Sequence, residues 1–332
     1  MHAYLIEMLA CPACHGALEW EISQRTVDRI ERAEARCQKC AEIYPVRDGI
    51  GVFLTPDLPR NDLWQQLESH LARYLREHAE VERRLMDSPV DDLSPADLFY
   101  RSLVLEERGE YKAARAMEER ANRGIYTAEY LACWESQRDF VIARLSEANG
   151  PIVDLASGRC YLVEHMARRL ERPVVATDYS PGVLQQAQRM LEAFGLYEQI
   201  SLLAFDVRRT PFRDGAVGTL TTNVGLPNVR SPGNLLQELR RVVGGEFLAI
   251  SHFYPPEDEA NAAALREAGL SSLIFRDEVV DAFSAMGWEV EIVNECRGRA
   301  APTPKSEILD DAPIDAFPVR ETTLEWCVLA IQ

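Results

Sequence analysis

Residues 151–188 read PIVDLASGRCYLVEHMARRLERPVVATDYSPGVLQQAQ, and the way this stretch breaks up decides the fold class. Ile152-Val153-Asp154-Leu155 is a short apolar run of the kind a buried parallel strand needs. It stops at Ala156-Ser157-Gly158, after which Leu162, Met166 and Leu170 recur at helical spacing. Val174-Val175-Ala176 opens a second apolar run that ends in Asp178. Strand, turn, helix and strand in that order make a βαβ unit, whose first turn sets a glycine and a helix N-terminus beside a bound nucleotide. An acid closing the second strand can accept hydrogen bonds from both hydroxyls of a ribose.

Outward from this unit the alternation of strands and helices continues, which predicts a doubly wound α/β sheet. Residues 182–194 form a helix, with Ser180 as its N-cap and Pro181 at its first position. Residues 200–205 are a third strand closed by Asp206, and 217–222 a fourth, running into Asn223-Val224-Gly225-Leu226-Pro227-Asn228. A helix over 235–243 is expected to end on Gly244-Gly245, residues that tolerate left-handed backbone. Residues 246–251 then deliver His252, Tyr254 and the turn Pro255-Pro256. A sixth strand (288–293), a long Pro-containing loop (297–320) and a last strand (322–331) complete the chain. Loops of that length are functional or disordered, and this one reads first as a substrate lid.

Two nucleotide cofactors suit such a unit. A dinucleotide wants G-x-G-x-x-G, whereas the three slots here hold Ala156, Gly158 and Tyr161. Asp154 through Cys160 instead resembles the first motif of class I S-adenosylmethionine-dependent methyltransferases, an acid in the strand followed by G-x-G-x-G. Gly158 keeps the central glycine, while Ala156 and Cys160 replace the outer two. The resemblance implies a seven-stranded sheet whose last strand enters antiparallel between its two predecessors. It also implies S-adenosylmethionine as cofactor, with Asp154 orienting the turn and the methionine amino group. Asp178 would hold the ribose, with Ala156, Ser157, Gly158 and Tyr179 around it and Asp206 and Val207 at the adenine. A doubly wound domain that binds nothing at this turn is the bland alternative, and Asp206 reads equally well as a strand-end cap.

Asn223 and Asn228 follow the fourth strand, beside the crevice where ligands of such sheets lie, and are candidates to contact substrate or the methionine end of the cofactor. His252 and Tyr254, after the fifth strand, join Asn223 as candidate catalytic groups. Histidine has a suitable pKa range for a general base, although a hydrogen-bonded structural histidine is the commoner case. The N/D-P-P-Y sequence of enzymes that methylate exocyclic amines of nucleic-acid bases is absent. Methyl transfer from a sulfonium is an in-line displacement with an excellent leaving group, so positioning suffices and no nucleophile is required. Cys160 reads as a small apolar filler.

Four of the eight cysteines cluster near the N-terminus as two C-x-x-C pairs, Cys11/Cys14 and Cys37/Cys40. Two such knuckles close a tetrahedral, structural Zn²⁺ site with no open position for catalysis. Reduced, metal-free thiols are the alternative, and His15 reads as a neighbour of the site. The flanks, Leu9 to Leu18 and Tyr44-Pro45-Val46-Arg47-Asp48-Gly49-Ile50, resemble the small zinc-ribbon proteins that activate tRNA, rRNA and release-factor methyltransferases. That resemblance spans roughly residues 3 to 54. A related ribbon precedes the 23S rRNA guanine-N1 methyltransferases, which favours an RNA substrate.

Charge argues the other way. The 332 residues carry a formal net charge of −17, which repels a phosphate backbone unless a basic patch intervenes. Arg29, Arg32 and Arg36 are interleaved with Glu31 and Glu34. No export signal or membrane span is expected, which points to the cytoplasm.

Between ribbon and sheet the sequence is helical and charged. Leu63, Leu67, Leu71 and Leu75 mark a helix over 62–86, followed by helices near 95–108 and 110–147, the last with a break at Gly124. Tyr126, Tyr130 and Trp134, at spacing four, read as core packing before substrate wall. The expected organisation is a zinc ribbon over 1–56, a helical linker over 57–122 and a methyltransferase domain over 123–332. The leading functional expectation is methyl transfer to a small-molecule or protein acceptor. The alternatives are an rRNA/tRNA methyltransferase that docks substrate through the ribbon, and a non-catalytic cofactor-binding scaffold.

Overall fold

The computed structural model describes residues 1–55, 70–147, 149–229, 232–270 and 273–332. The N-terminal part comprises the short helix α1 (Leu5–Met8) and strands β1 (Leu18–Arg25), β2 (Ile30–Cys37), β3 (Ile43–Arg47) and β4 (Ile50–Val52). Helices α2 (His70–Glu77), α3 (Ala79–Asp87), α4 (Pro95–Glu107), α5 (Tyr111–Ile125) and α6 (Ala128–Leu145) follow. The alternating part then runs β5 (Ile152–Asp154), α7 (Tyr161–Arg169), β6 (Val174–Asp178), α8 (Pro181–Ala193), β7 (Ile200–Ala204), β8 (Val217–Asn223), α9 (Pro232–Val242) and β9 (Val243–Phe253). Helices α10 (Glu259–Glu267) and α11 (Arg276–Ala285) and strands β10 (Val290–Ala300) and β11 (Thr322–Ile331) end the chain.

Among the described residues the sheet has eleven strands rather than seven, in the order β1-β2-β3-β4-β7-β6-β5-β8-β9-β11-β10. Strands β5 to β9 are mutually parallel, and β11 enters antiparallel between β9 and β10. The extra four come from the ribbon. β4 pairs in parallel with β7, Ile50 opposite Leu202 and Val52 opposite Ala204, and the Phe53 amide extends the ladder to the Ala204 carbonyl at 2.7 Å. An apolar edge strand such as β7 must be covered, and the ribbon covers it. The covalent order of the chain does not reveal this, because the pairing joins segments about 150 residues apart.

Each face of the sheet carries its own core. On one, Leu5, Leu9, Ile30, Tyr44 and Phe53 of the N-terminal part pack with Phe205, Phe212, Leu235 and Phe247. On the other, Val141, Ile142 and Leu145 of α6 join Met166, Leu184, Leu191 and Trp326. A third cluster ties Leu75, Leu85, Leu93 and Leu98 to Ile308 and Leu309 of the long loop.

Several sequence expectations move. Gly244 and Gly245 lie in β9 and cap no helix; a Cβ on either would meet the carbonyl oxygen of Gly215 at 2.5 Å or of Gly218 at 2.1 Å. The break expected at Gly124 falls at Tyr126-Thr127. Gly124 stays helical within α5, and it passes Pro95 so closely that a Cβ there would come within 2.6 Å of the proline ring. The sixth strand runs on to Ala300, shortening the loop to residues 301–321. The expected 62–86 helix is interrupted at His78; Leu63, Leu67 and the ribbon boundary at 56 lie outside the described residues.

Candidate active site and cysteine cluster

The turn after β5 is built on three left-handed residues at alternate positions: Ala156 (φ 54°), Gly158 (φ 50°) and Cys160 (φ 60°). These are the three glycine slots of G-x-G-x-G, so the turn keeps its shape although two slots carry side chains. Left-handed backbone strains any residue with a Cβ, and the Cys160 side chain is fully buried. Side chains brace the turn: the Ser157 hydroxyl donates to the Asp154 carbonyl at 3.0 Å and the Ser157 amide to the Thr177 carbonyl at 2.7 Å.

Asp178, at the carboxyl end of β6, reaches back to this turn. Its carboxylate accepts the Gly158 amide at 3.1 Å and the Ser180 amide at 2.9 Å, and Ser180 caps α8 through the Val183 amide. Around Gly158 there is open space, with no atom of the described residues within 4 Å of where a Cβ would stand. Arg159 points away from the turn toward Glu106 and Glu118 of the helical region, 3.0 Å from Glu118. The turn therefore fits a nucleoside cofactor: the approach at Gly158 is clear, and an acid faces it from the neighbouring strand.

Asp154 is fully buried and accepts the Thr221 hydroxyl at 2.7 Å. Burial pushes its carboxyl up to about 6, against the hydrogen bonds from Ser157 and Thr221. Asp206 is committed within its own loop, gripped by the Arg208 guanidinium (2.9 and 2.5 Å) and the Arg208 amide. Val207 and Tyr179 are half-buried beside it. Asn223 accepts the Trp134 indole N–H at 3.1 Å, which makes it an anchor for α6.

Beside the carboxyl ends of β8 and β9 lies a cavity of about 270 Å³. It brings together Asn228, His252 and Tyr254 with Tyr126 and Tyr130, and loop residues Thr303, Asp315 and Phe317 close it; Asn223 and Trp134 do not line it. The Tyr126 and Tyr130 rings stack at 4.9 Å, and the Tyr126 hydroxyl donates to Asp315 at 2.8 Å. His252 packs on Trp326 with ring centroids 4.8 Å apart, and burial lowers its pKa to about 4, so the imidazole is neutral at physiological pH. Its Nδ1 has no hydrogen-bond partner among the described residues. A second hollow, about 490 Å³, lies at the amino end of β9 beside Trp288, away from this crevice. Asp315 and Phe317 carry no sequence signal of their own, since a loop declares neither what it covers nor what holds it.

The four N-terminal cysteine sulfurs all lie within 4.8 Å of one another, with Cys11–Cys40 at 3.6 Å and Cys14–Cys37 at 3.4 Å. Zinc–sulfur bonds of 2.3 Å in a tetrahedron require sulfurs about 3.8 Å apart, so the cluster is compatible with Zn²⁺. The Lys39 and Cys40 amides donate to the Cys37 sulfur at 3.3 and 3.4 Å, favouring a thiolate there. Arg29 turns inward, bonding the Tyr197 and Ile200 carbonyls, and Arg32 pairs with Asp48, so the candidate basic patch is dispersed.

Residues 152–245 match the family model for a methyltransferase domain, and residues 2–49 that for a Trm112p-like protein. The chain is a methyltransferase-domain protein with a Trm112p-like N-terminal segment. A UPF0434 protein of Methylobacillus flagellatus is 31% identical over 68 residues, 20% of this chain and 100% of the relative. The ubiquinone/menaquinone biosynthesis C-methyltransferase UbiE of Coxiella burnetii is 29% identical over 128 residues, 37% of this chain and 50% of the relative. The chain thus spans about half the length of the curated methyltransferases it matches. Among solved structures, the YcgJ protein of Bacillus subtilis is similar with a TM-score of 0.47 and 14% identity, covering 59% of this chain and 97% of that one. No helix among the described residues is long and apolar enough to cross a membrane.

Proposed function

We propose that this methyltransferase-domain protein transfers the methyl group of S-adenosylmethionine to a small-molecule or protein acceptor held in the 270 Å³ cavity. The observation that carries the reading is Asp178 gripping the Gly158 amide across an open turn, with the cavity adjoining the carboxyl ends of the neighbouring strands. Bound at that turn, S-adenosylmethionine would supply an electrophilic methyl on a sulfonium. Asp178 would orient the ribose, Asp154 the turn and the methionine ammonium, and Asp206 and Val207 would hold the adenine. The aromatic walls exclude water and fix the acceptor for in-line attack, the main requirement for this chemistry. His252, neutral and with an unpartnered Nδ1, is the candidate to take up an acceptor proton, and Tyr254 orients the acceptor beside it.

Zn²⁺ on Cys11, Cys14, Cys37 and Cys40 holds the ribbon in shape, and the three sequence regions (1–56, 57–122 and 123–332) act as edge cover, lid support and catalytic sheet. Delivery of rRNA or tRNA through the ribbon finds no support in its dispersed arginines. Calorimetry with S-adenosylmethionine tests the reading. We expect binding at micromolar concentrations, weakened at least tenfold in Asp178→Ala by loss of charged hydrogen bonds. Absence of binding to the native chain would remove the methyltransferase reading.

A further inference from the structure

The cavity has one charged side chain among its described lining residues, and that charge is negative. Asp315 stands at the mouth, placed by the loop: its backbone amide donates to the Thr303 hydroxyl oxygen at 3.1 Å. Its carboxylate accepts the Tyr126 hydroxyl and also acts electrostatically on Tyr130 and Tyr254, whose phenols it holds more firmly protonated after burial has done so. The other acid near Tyr254, Asp258, is already engaged by Arg320 at 2.6 Å and by Asn261 at 2.7 Å. Below the mouth the walls are apolar, including Val224, Leu265, Ile274 and Leu324.

Resting on the acceptor-site reading above, we propose that the acceptor is an apolar small molecule bearing one protonated amine, seated between the Asp315 carboxylate and the rings of Tyr126, Tyr130 and Tyr254. Aromatic faces attract a cation through their quadrupoles, and the carboxylate adds an ion pair at a half-open site. An anionic acceptor would be repelled by Asp315 with no visible counter-charge in the walls. A neutral acceptor would gain from the apolar walls alone.

Three probes of similar size separate the cases: 2-phenylethylamine, 2-phenylethanol and 3-phenylpropanoate, titrated calorimetrically into the full chain at neutral pH. The amine is expected to bind roughly five- to tenfold more tightly than the alcohol, the sum of an exposed cation–π contact and an exposed ion pair, with the acid weakest. That preference disappears in Asp315→Asn and persists in Asp315→Glu, while the melting temperature of both variants reports that the fold is kept. Equal or tighter binding of the alcohol or acid, no binding of any probe, or an unchanged preference in Asp315→Asn overturns the proposal. S-adenosylmethionine titrated into the same sample keeps the two readings apart. Failure there removes the methyltransferase reading, whereas cofactor binding without amine preference removes this inference alone.

Discussion

Ala156 and Cys160 occupy two left-handed positions that an L-residue reaches at a cost of about 1–2 kcal/mol. The methyltransferase-like turn was legible from Asp154, Gly158 and Asp178, but its backbone signs were not. Alanine is a mild replacement for glycine only where φ is negative, and the structure puts Ala156 at +54°. Ala156→Gly should therefore stabilise the chain by about 0.5–1 kcal/mol, measurable as a higher urea midpoint. Cys160→Gly should gain little, because its fully buried side chain contributes packing that glycine forfeits. Asp154 has a pH signature. Its folded carboxyl titrates near 6 against about 3.9 unfolded, so its favourable contribution is complete below pH 4 and is lost as pH rises through 6. Asp154→Asn should raise stability at pH 8 by about 3 kcal/mol and leave it nearly unchanged near pH 4. An urea midpoint that moves equally at both pH values would exclude burial of this carboxylate as the cause.

The same contrast between visible and hidden appears among the elements. Periodicity marked α4, β5 to β8 and β11 closely, because each pattern is decided by its own residues. The role of the helical region was hidden, since a linker and a lid support share one composition. Asp97, fully buried at the start of α4, accepts the Ser306 hydroxyl at 2.5 Å and the Ile308 amide at 3.2 Å, and the Tyr100 hydroxyl reaches the Pro313 carbonyl at 2.7 Å. These bonds and the Ile308–Leu309 contacts hold the 301–321 loop, and with it Asp315 and Phe317, over the cavity. Asp97→Ala strips the buried Ser306 hydroxyl of its acceptor and leaves the Ile308 amide only the Ser306 oxygen at 3.2 Å, which should cost about 2 kcal/mol locally. The expected result is faster trypsin cleavage at Lys305 with the sheet still folded. Cleavage at the native rate would show that the loop is held elsewhere. Arg159 makes a second link, from the cofactor turn to Glu106 and Glu118, and Tyr161 and Arg115 join the same buried carboxylate of Glu118. Arg159→Ala leaves Glu118 with one cation fewer in a site nearly closed to water, and should weaken cofactor binding by loosening the turn rather than by removing a contact.

At the scale of the whole molecule, the ribbon and the sheet share both hydrogen bonds and core. β4 covers the edge of β7, and Leu5, Leu9, Tyr44 and Phe53 pack in one cluster with Phe205, Phe212 and Leu235. A separate zinc-stabilised domain would melt on its own when stripped of metal. Here, unfolding the ribbon would bare the β7 ladder and one apolar face of the sheet at once, so the two should unfold together. Structural zinc contributes folding free energy directly, apparent values for zinc-finger peptides being about 10–16 kcal/mol at neutral pH, and the fused core returns part of that stability without metal. Chelation should therefore lower the melting temperature of the entire chain while keeping a single calorimetric transition. It should weaken S-adenosylmethionine binding as well, because β7 lies next to β6, which carries Asp178. Cys37→Ser should reproduce both effects without chelator, whereas Arg32→Ala, on the exposed face of the same hairpin, should reproduce neither. Two separate transitions after chelation, the larger at the temperature of the metal-loaded chain, would mean that the paired strands do not couple the two parts.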